Sequence, residues 1–427
     1  MQADSQPTAS EPSTRTPYCV GQWMPSDQAV LNTWLEKIHA RAEDQTGPLL
    51  PAVQQLKTLI ETDATAYMVF TQMFDQMPAR RKKSPSGLPQ VRDYEHMLRL
   101  FNVIMTEAPE YNDTGVVGFP FNAILDWSMD TVGGWAGFLN DKVNAHLRAM
   151  LNEWAVFLRS PQSTQVLNDK PPSGWFCPDA LKHMPHFAEE FQCDPAKPHY
   201  GFTSWDDFFT RRFRDGVRPV AAPDDDAVIV NACESAPYRL ADNVQARDKF
   251  WIKAQPYALQ FMMDNDPLAG EFAGGTVYQA FLSALSYHRW HASVSGRIVK
   301  TRLIPGTYYS ETLAEGADPA GPNDSQGYIA ELATRALIYI QADNPAIGLM
   351  CFMPVGMAEV STCDITVYEG QHVQKGDELG MFHFGGSTHC LFFRPGVNLK
   401  FDLHGQKPGL DSNNIPVRSR IATVLRG

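Results

Sequence analysis

Three short segments carry side chains able to do chemistry. The first is Phe384-Gly385-Gly386-Ser387-Thr388. A Gly-Gly-Ser run is commonly just a turn. It also has a chemical reading. The glycine before Ser387 leaves room for the hydroxyl to attack the Gly386 carbonyl. The ester so formed can eliminate, which breaks the chain and leaves an N-terminal pyruvoyl group. That ketone captures an amine as a Schiff base and withdraws electrons as CO2 departs, in the way pyridoxal phosphate acts. The spacing is not the G-x-S-x-G of a hydrolase elbow.

The second segment is Tyr287-His288-Arg289-Trp290-His291, which follows the apolar run Val277 to Leu285. Histidines three apart on a helix are candidate metal ligands. They equally suit proton transfer near neutral pH, or a purely structural place in a core. A metal site needs further ligands. The other close pair, His183 and His186, has Pro185 inside it and reads as structural. The third segment runs from Phe202 through Ser204, Trp205, Asp206, Asp207, Phe208 and Phe209 to Arg211, Arg212 and Phe213. It reads as an amphipathic helix capped by Ser204, with the phenylalanines packing and the charges forming a solvated, ion-paired face.

The elements that must position these groups divide at about residue 190. Residues 1–20 are Ser, Thr and Pro rich and read as a disordered N-terminus. From Ser26 or Asp27, as caps, an apolar stripe of Val30, Leu31, Trp34, Leu35 and Ile38 begins a helix. Further helices are expected near 52–61, 64–77, 92–107 and 140–160, so 21–190 is a mainly helical region. Lys170-Pro171-Pro172-Ser173-Gly174 reads as a linker or long loop. Beyond about 220 short β runs dominate, among them 227–230, 276–281, 337–341 and 349–352. Between Val367 and Gly380, turn glycines separate short β runs, as in biotinyl and lipoyl sandwiches, without their carrier lysine. The fold class is α+β: a helical region, then a β-rich catalytic domain over 200–427.

Bulk properties narrow the function. The chain has 427 residues and a net charge of −12, which disfavours nucleic acid as a partner. The compact basic run Arg80-Arg81-Lys82-Lys83 sits beside Ser84-Pro85-Ser86-Gly87 and reads as a solvated loop. The seven cysteines are widely spaced and form no CxxC pair, as expected of reduced thiols. No targeting segment is legible. The apolar run Ala346 to Ala358 falls short of the ~20 residues a membrane helix needs. The expectation is a cytoplasmic protein with no stable membrane insertion. Asp224-Asp225-Asp226 and Asp264 with Asp266 do not continue as a calcium loop and read as loop charges.

Taken in order, the three segments resemble the phosphatidylserine decarboxylase family over about 200–427. The resemblance implies roles residue by residue. Ser387 matches the pyruvoyl precursor, with cleavage between Gly386 and Ser387 giving a β chain of 1–386 and an α chain of 387–427. His291 matches the base of the self-cleavage triad and His288 the proton donor in decarboxylation. The triad acid is an Asp in the family, and here Glu234 stands in Asn231-Ala232-Cys233-Glu234-Ser235. The resemblance implies neither a metal nor pyridoxal phosphate. The Glu-for-Asp change, the lack of an anchor and the spelling of the histidine block look like the fungal, soluble branch that decarboxylates free aromatic amino acids, notably L-tryptophan. A phospholipid decarboxylase, a zinc hydrolase using His288 and His291, and a binding protein retaining the fold stand as alternatives. The helical region could cover the active site or form a contact between copies in a homo-oligomer.

Overall fold

The computed structural model describes residues 28–77, 91–112, 119–248, 257–283, 285–313 and 324–425. The expected disordered stretch 1–20, the caps at Ser26 and Asp27 and the basic run 80–83 lie outside the described residues. Among the described residues ten α-helices come first: α1 Gln28–Asp44, α2 Pro51–Thr62, α3 Ala64–Asp75, α4 Tyr94–Ile104, α5 Pro120–Met129, α6 Val132–Phe138, α7 Asp141–Leu158, α8 Pro178–His183, α9 Phe187–Glu190 and α10 Trp205–Phe209. Short polar caps start several of them. Asp63 accepts from the amides of Thr65 and Ala66 to open α3, and Asp93 accepts from His96 to open α4. Asn140 opens α7, whose Val143, Leu147, Met150, Leu151, Trp154 and Leu158 are buried at the helical period.

Two segments differ from expectation. Lys170–Gly174 is not a linker between units. The chain turns tightly there and returns Trp175, Phe176 and Cys177 to the helical core, with Trp175 Nε1 donating to Pro109 O at 2.8 Å. The 202–213 block forms only the five-residue α10. Ser204 does cap it, accepting from Asp207 N at 3.0 Å. The Thr210 hydroxyl then bonds back to Asp206 O, and the chain leaves the helix with Arg211 buried. Phe208, Phe209 and Phe213 join the same core as α1–α7.

Thirteen strands follow among the described residues, with α11 Leu259–Met262 and α12 Gln326–Leu332 between them. They are β1 Val228–Val230, β2 Ala236–Val244, β3 Gly275–Leu282, β4 Arg289–His291, β5 Gly296–Ile304, β6 Arg335–Ala342, β7 Leu349–Met357, β8 Cys363–Ile365, β9 His372–Val373, β10 Glu378–Phe382, β11 Gly386–Phe393, β12 Leu399–Phe401 and β13 Arg420–Val424. One sheet of seven strands has the order β2-β3-β11-β7-β6-β5-β9, and two sheets of three strands, β4-β10-β8 and β1-β13-β12, accompany it. Every residue of β11 is buried. One face of the large sheet packs with Trp290, Ile229, Ala232 and Phe382 from the smaller sheets and their loops. The other packs with Leu259 and Met262 of α11 and Ile329 of α12. Side chains alternate along a strand, so Ser387 and His389 share one face and Thr388 and Cys390 the other.

Phe384, in the turn that leads into β11, packs into the helical core. Its ring stacks on Phe119 at 5.7 Å and meets Trp154, Trp205 and Phe209 edge-on at 5.6, 5.5 and 5.3 Å. Aromatic pairs of this geometry contribute about 0.5–1.5 kcal/mol each beyond their burial. Phe384→Ala should therefore destabilise by about 3–5 kcal/mol, read as a fall of several degrees in Tm by calorimetry; an unchanged Tm would show that the cage carries no load.

Candidate active site

Ser387 enters β11 between β3 and β7, opposite Leu282 and Gly356. It is completely buried, and its Oγ has no hydrogen-bond partner. A buried hydroxyl left so costs about 1–3 kcal/mol, which marks the position as strained or functional. The turn before it is closely confined. A Cβ at Gly385 would lie 2.5 Å from Ser361 Oγ, so only glycine fits. The Ser361 amide donates to Phe384 O at 2.9 Å, and Ser361 Oγ lies 3.5 Å from the carbonyl oxygen of Gly386.

His288 and His291 belong to a loop and strand rather than to a helix. His288 precedes β4, and its carbonyl accepts from Phe382 N at 3.0 Å. Its ring stacks on Phe209 at 4.1 Å, and neither ring nitrogen is hydrogen-bonded. Phe209 in turn touches Phe384, so His288 reaches the Gly-Gly-Ser turn through one aromatic ring. His291 ends β4, with its amide donating to Ala232 O at 2.8 Å. Its Nδ1 lies 2.8 Å from Gly376 O, and its Nε2 lies 2.9 Å from the Tyr287 hydroxyl. Neither histidine is hydrogen-bonded to Ser387.

Glu234 is not hydrogen-bonded to His291. Its carboxylate pairs with Arg218 at 3.0 Å and accepts from Val417 N at 2.8 Å. The next residue, Arg418, places Nη2 3.1 Å from His291 Nδ1 and donates from Nε to Gly376 O. Acid and histidine are thus joined through the Val417-Arg418 segment. The expected charged face of α10 is also engaged. Asp206 pairs with His383 Nδ1 at 2.8 Å, one residue before Phe384, and Arg211 donates to Leu285 O and Ser286 O just before the histidine block.

Several residues of the site carry no local signal in the sequence: Arg418, Gly376, Glu359 and Ser361. His389 had one, since it lies two residues after Ser387 on a strand. It is fully buried with both ring nitrogens unpartnered. Among the described residues no three His, Cys, Asp or Glu side chains cluster so as to hold a metal ion, and no helix is long and apolar enough to cross a membrane.

Comparison with known proteins decides the family. Models described as phosphatidylserine decarboxylase match residues 50–184 and 205–410. The L-tryptophan decarboxylase of Psilocybe cubensis is 36% identical over 412 residues, 91% of each chain. The chain belongs to the phosphatidylserine decarboxylase family. Decarboxylase iboD of Amanita muscaria is 42% identical over 303 residues, covering 66% of this chain and 86% of that protein. Phosphatidylserine decarboxylase proenzyme 3 of Schizosaccharomyces pombe is 30% identical over 200 residues, 47% of this chain and 20% of that one. The protein is a decarboxylase, a carboxy-lyase of α+β fold.

The buried imidazoles give this site a pH signature. Burial, helped by the Arg211 charge, pushes His288 down to about 3, and burial with Arg418 does the same to His291. Burial alone takes His389 to about 3. The unfolded chain takes up these protons below its ordinary pKa of about 6.5 while the folded protein refuses them. Stability is therefore fully present above that pH and falls as the pH drops towards 3, by ~1.4 kcal/mol per pH unit for each histidine. Tm measured at pH 7, 6 and 5 should decline steadily, and His389→Phe should flatten the slope. A Tm independent of pH over this window would contradict neutral burial.

Proposed function

We propose that the chain cleaves itself between Gly386 and Ser387, and that the mature enzyme decarboxylates free aromatic L-amino acids, with L-tryptophan as the leading substrate. The observation that carries the substrate class is the likeness to the Psilocybe enzyme, whose name states that substrate and 91% of whose length is matched, helical region included. The likeness to the phospholipid enzyme of S. pombe covers less than half of this chain.

Maturation starts at Ser387. Its hydroxyl attacks the Gly386 carbonyl carbon, the Gly386–Ser387 amide breaks, and an ester joins Gly386 to the serine oxygen. Loss of the Ser387 α-proton with expulsion of Gly386 as a carboxylate cuts the chain. The dehydroalanine left at residue 387 takes up water and releases ammonia, giving the pyruvoyl group. The residues present suit this sequence. The Ser387 hydroxyl is unengaged, and the turn before it packs so closely on Ser361 that a Cβ at Gly385 would lie 2.5 Å from the Ser361 Oγ. His291 supplies the base; its Nε2 holds the Tyr287 hydroxyl, and that contact yields as it takes the Ser387 proton. Glu234 acts on it through Val417 and Arg418, holding the loop that orients the imidazole.

The pyruvoyl group, once formed, supplies a ketone that binds the substrate amine and accepts electrons as CO2 leaves. The surrounding residues exclude water and handle protons. On the Ser387 face of the sheet, Tyr278 and Phe352 flank the buried His389 ring at 6.2 and 5.7 Å. His288 is neutral, so one ring nitrogen can accept a proton while the other releases one, which suits delivery to the carbon that loses CO2.

Denaturing mass spectrometry should find chains of 1–386 and 387–427, the second beginning with a pyruvoyl group, and Ser387→Ala should remain one inactive chain. The cleaved protein should release CO2 and an arylalkylamine from L-tryptophan, with no turnover of phosphatidylserine vesicles and no loss of activity after metal chelation. Turnover of vesicles alone would overturn the substrate assignment, and an intact, active wild-type chain would overturn the mechanism. His288→Ala should cleave normally yet lose about 10²–10⁴-fold in kcat, the usual contribution of a proton-transfer group.

A further inference from the structure

The turn between β7 and β8, Ala358 to Ser361, lies against the Gly386 side of the bond and has no part in the chemistry assigned so far. Its backbone is held in a costly form. Ala358, Glu359 and Ser361 have φ of 54°, 26° and 39°, a region L-residues rarely occupy. Three non-glycine residues in such a state within four positions must be held by their surroundings.

Two sets of contacts hold them. On one side Glu359, completely buried, accepts from Asn122 N at 3.0 Å and from the Tyr309 hydroxyl at 3.1 Å. Asn122 lies in the first turn of α5, whose own N-cap, Phe119, provides no side-chain bond. Glu359 thus caps a helix of the N-terminal region from across the molecule, beside the ring of Phe119 that stacks on Phe384. Burial pushes its carboxyl up to about 8, so near pH 7 it is largely neutral and close in shape to glutamine.

On the other side stands Ser361, which is 1% exposed. Two glycines make way for it: a Cβ at Gly356 would lie 2.6 Å from its Cβ, and one at Gly385 2.5 Å from its Oγ. Its amide is tied to Phe384 O, and its Oγ lies within hydrogen-bond reach of Ala358 O and of Met357 O at 2.7 Å, with Gly386 O at 3.5 Å. The hydroxyl has one proton and several neutral carbonyls in reach. When negative charge develops on Gly386 O, a rotation about the C–O bond turns that proton towards the stronger, charged acceptor.

Resting on the self-cleavage reading above, we propose that Ser361 is a catalytic residue of maturation, donating a hydrogen bond to the Gly386 oxyanion as Ser387 attacks, and that Glu359 is a positioning residue that holds it there against the helical region. The bonds made and broken are those already given, and Ser361 keeps its proton throughout. The helical region is then part of the maturation machinery.

The test follows the full-length chain by mass spectrometry from synthesis onward, scoring 1–427 against 1–386 and 387–427. Ser361→Ala and Ser361→Gly should both slow maturation by ~10²-fold, the usual cost of one oxyanion donor. Glycine tolerates a φ of 39°, so Ser361→Gly should fold even if alanine does not. Glu359→Ala should mature more slowly at a Tm where Ser387→Ala and wild type are both folded, and Glu359→Gln should restore the rate. Wild-type maturation rates in Ser361→Gly would overturn the donor role, and in Glu359→Ala the positioning role. A wild-type chain that never cleaves would sink the self-cleavage reading and this proposal with it.

Discussion

The packing of Phe384 is the contact on which the site depends. A single ring lies between Phe119 and Trp154 of the helical region, Trp205 and Phe209 of α10, and the turn that leads into Ser387. Interiors packed at crystal-like density transmit position rather than absorb it. The distance from Phe384 to Ser387 is three residues, so fixing the ring fixes the turn. Phe209 also carries His288 on its other contact, which ties the histidine block to the same point.

Around this clamp the molecule keeps polar groups buried in uncommon states. Ser387, His288 and His389 have side-chain atoms with no partner, and Glu359 sits beneath a helix end. Each such group is expensive in a low-dielectric interior. The large sheet, buried on both faces at β11, provides the stability that lets them persist. Ion pairs are arranged around the rim of the site. Arg218 bridges Glu190 and Glu234, which links α9 to the loop after β1.

Much of the architecture was legible in the chain. Helices α1 to α4 and α7 announce themselves through period and cap, because amphipathic burial and capping are local effects, whereas α5 and α6 fall outside the expected segments. The β runs after 220 did likewise, though β7 extends five residues beyond the expected 349–352, to Met357. The 202–213 block misled because its phenylalanines suit a helical stripe, whereas the structure buries them around Arg211, whose guanidinium lies 4.5 Å from the Phe191 ring. The histidine pair looked equally fit for a helix, since two residues three apart say nothing of backbone form until β10 pairs with them.

Ser387, the glycines before it, the histidines and the α+β order are matters of residue type and local pattern, and the sequence alone determined them. Tertiary structure decided what each group touches. Glu234 and His291 are 57 positions apart, and whether they bond directly or through Val417 and Arg418 depends on how β4 meets the loop after β1. Glu359 is 237 positions from Asn122. No local preference brings such residues together; tertiary packing does.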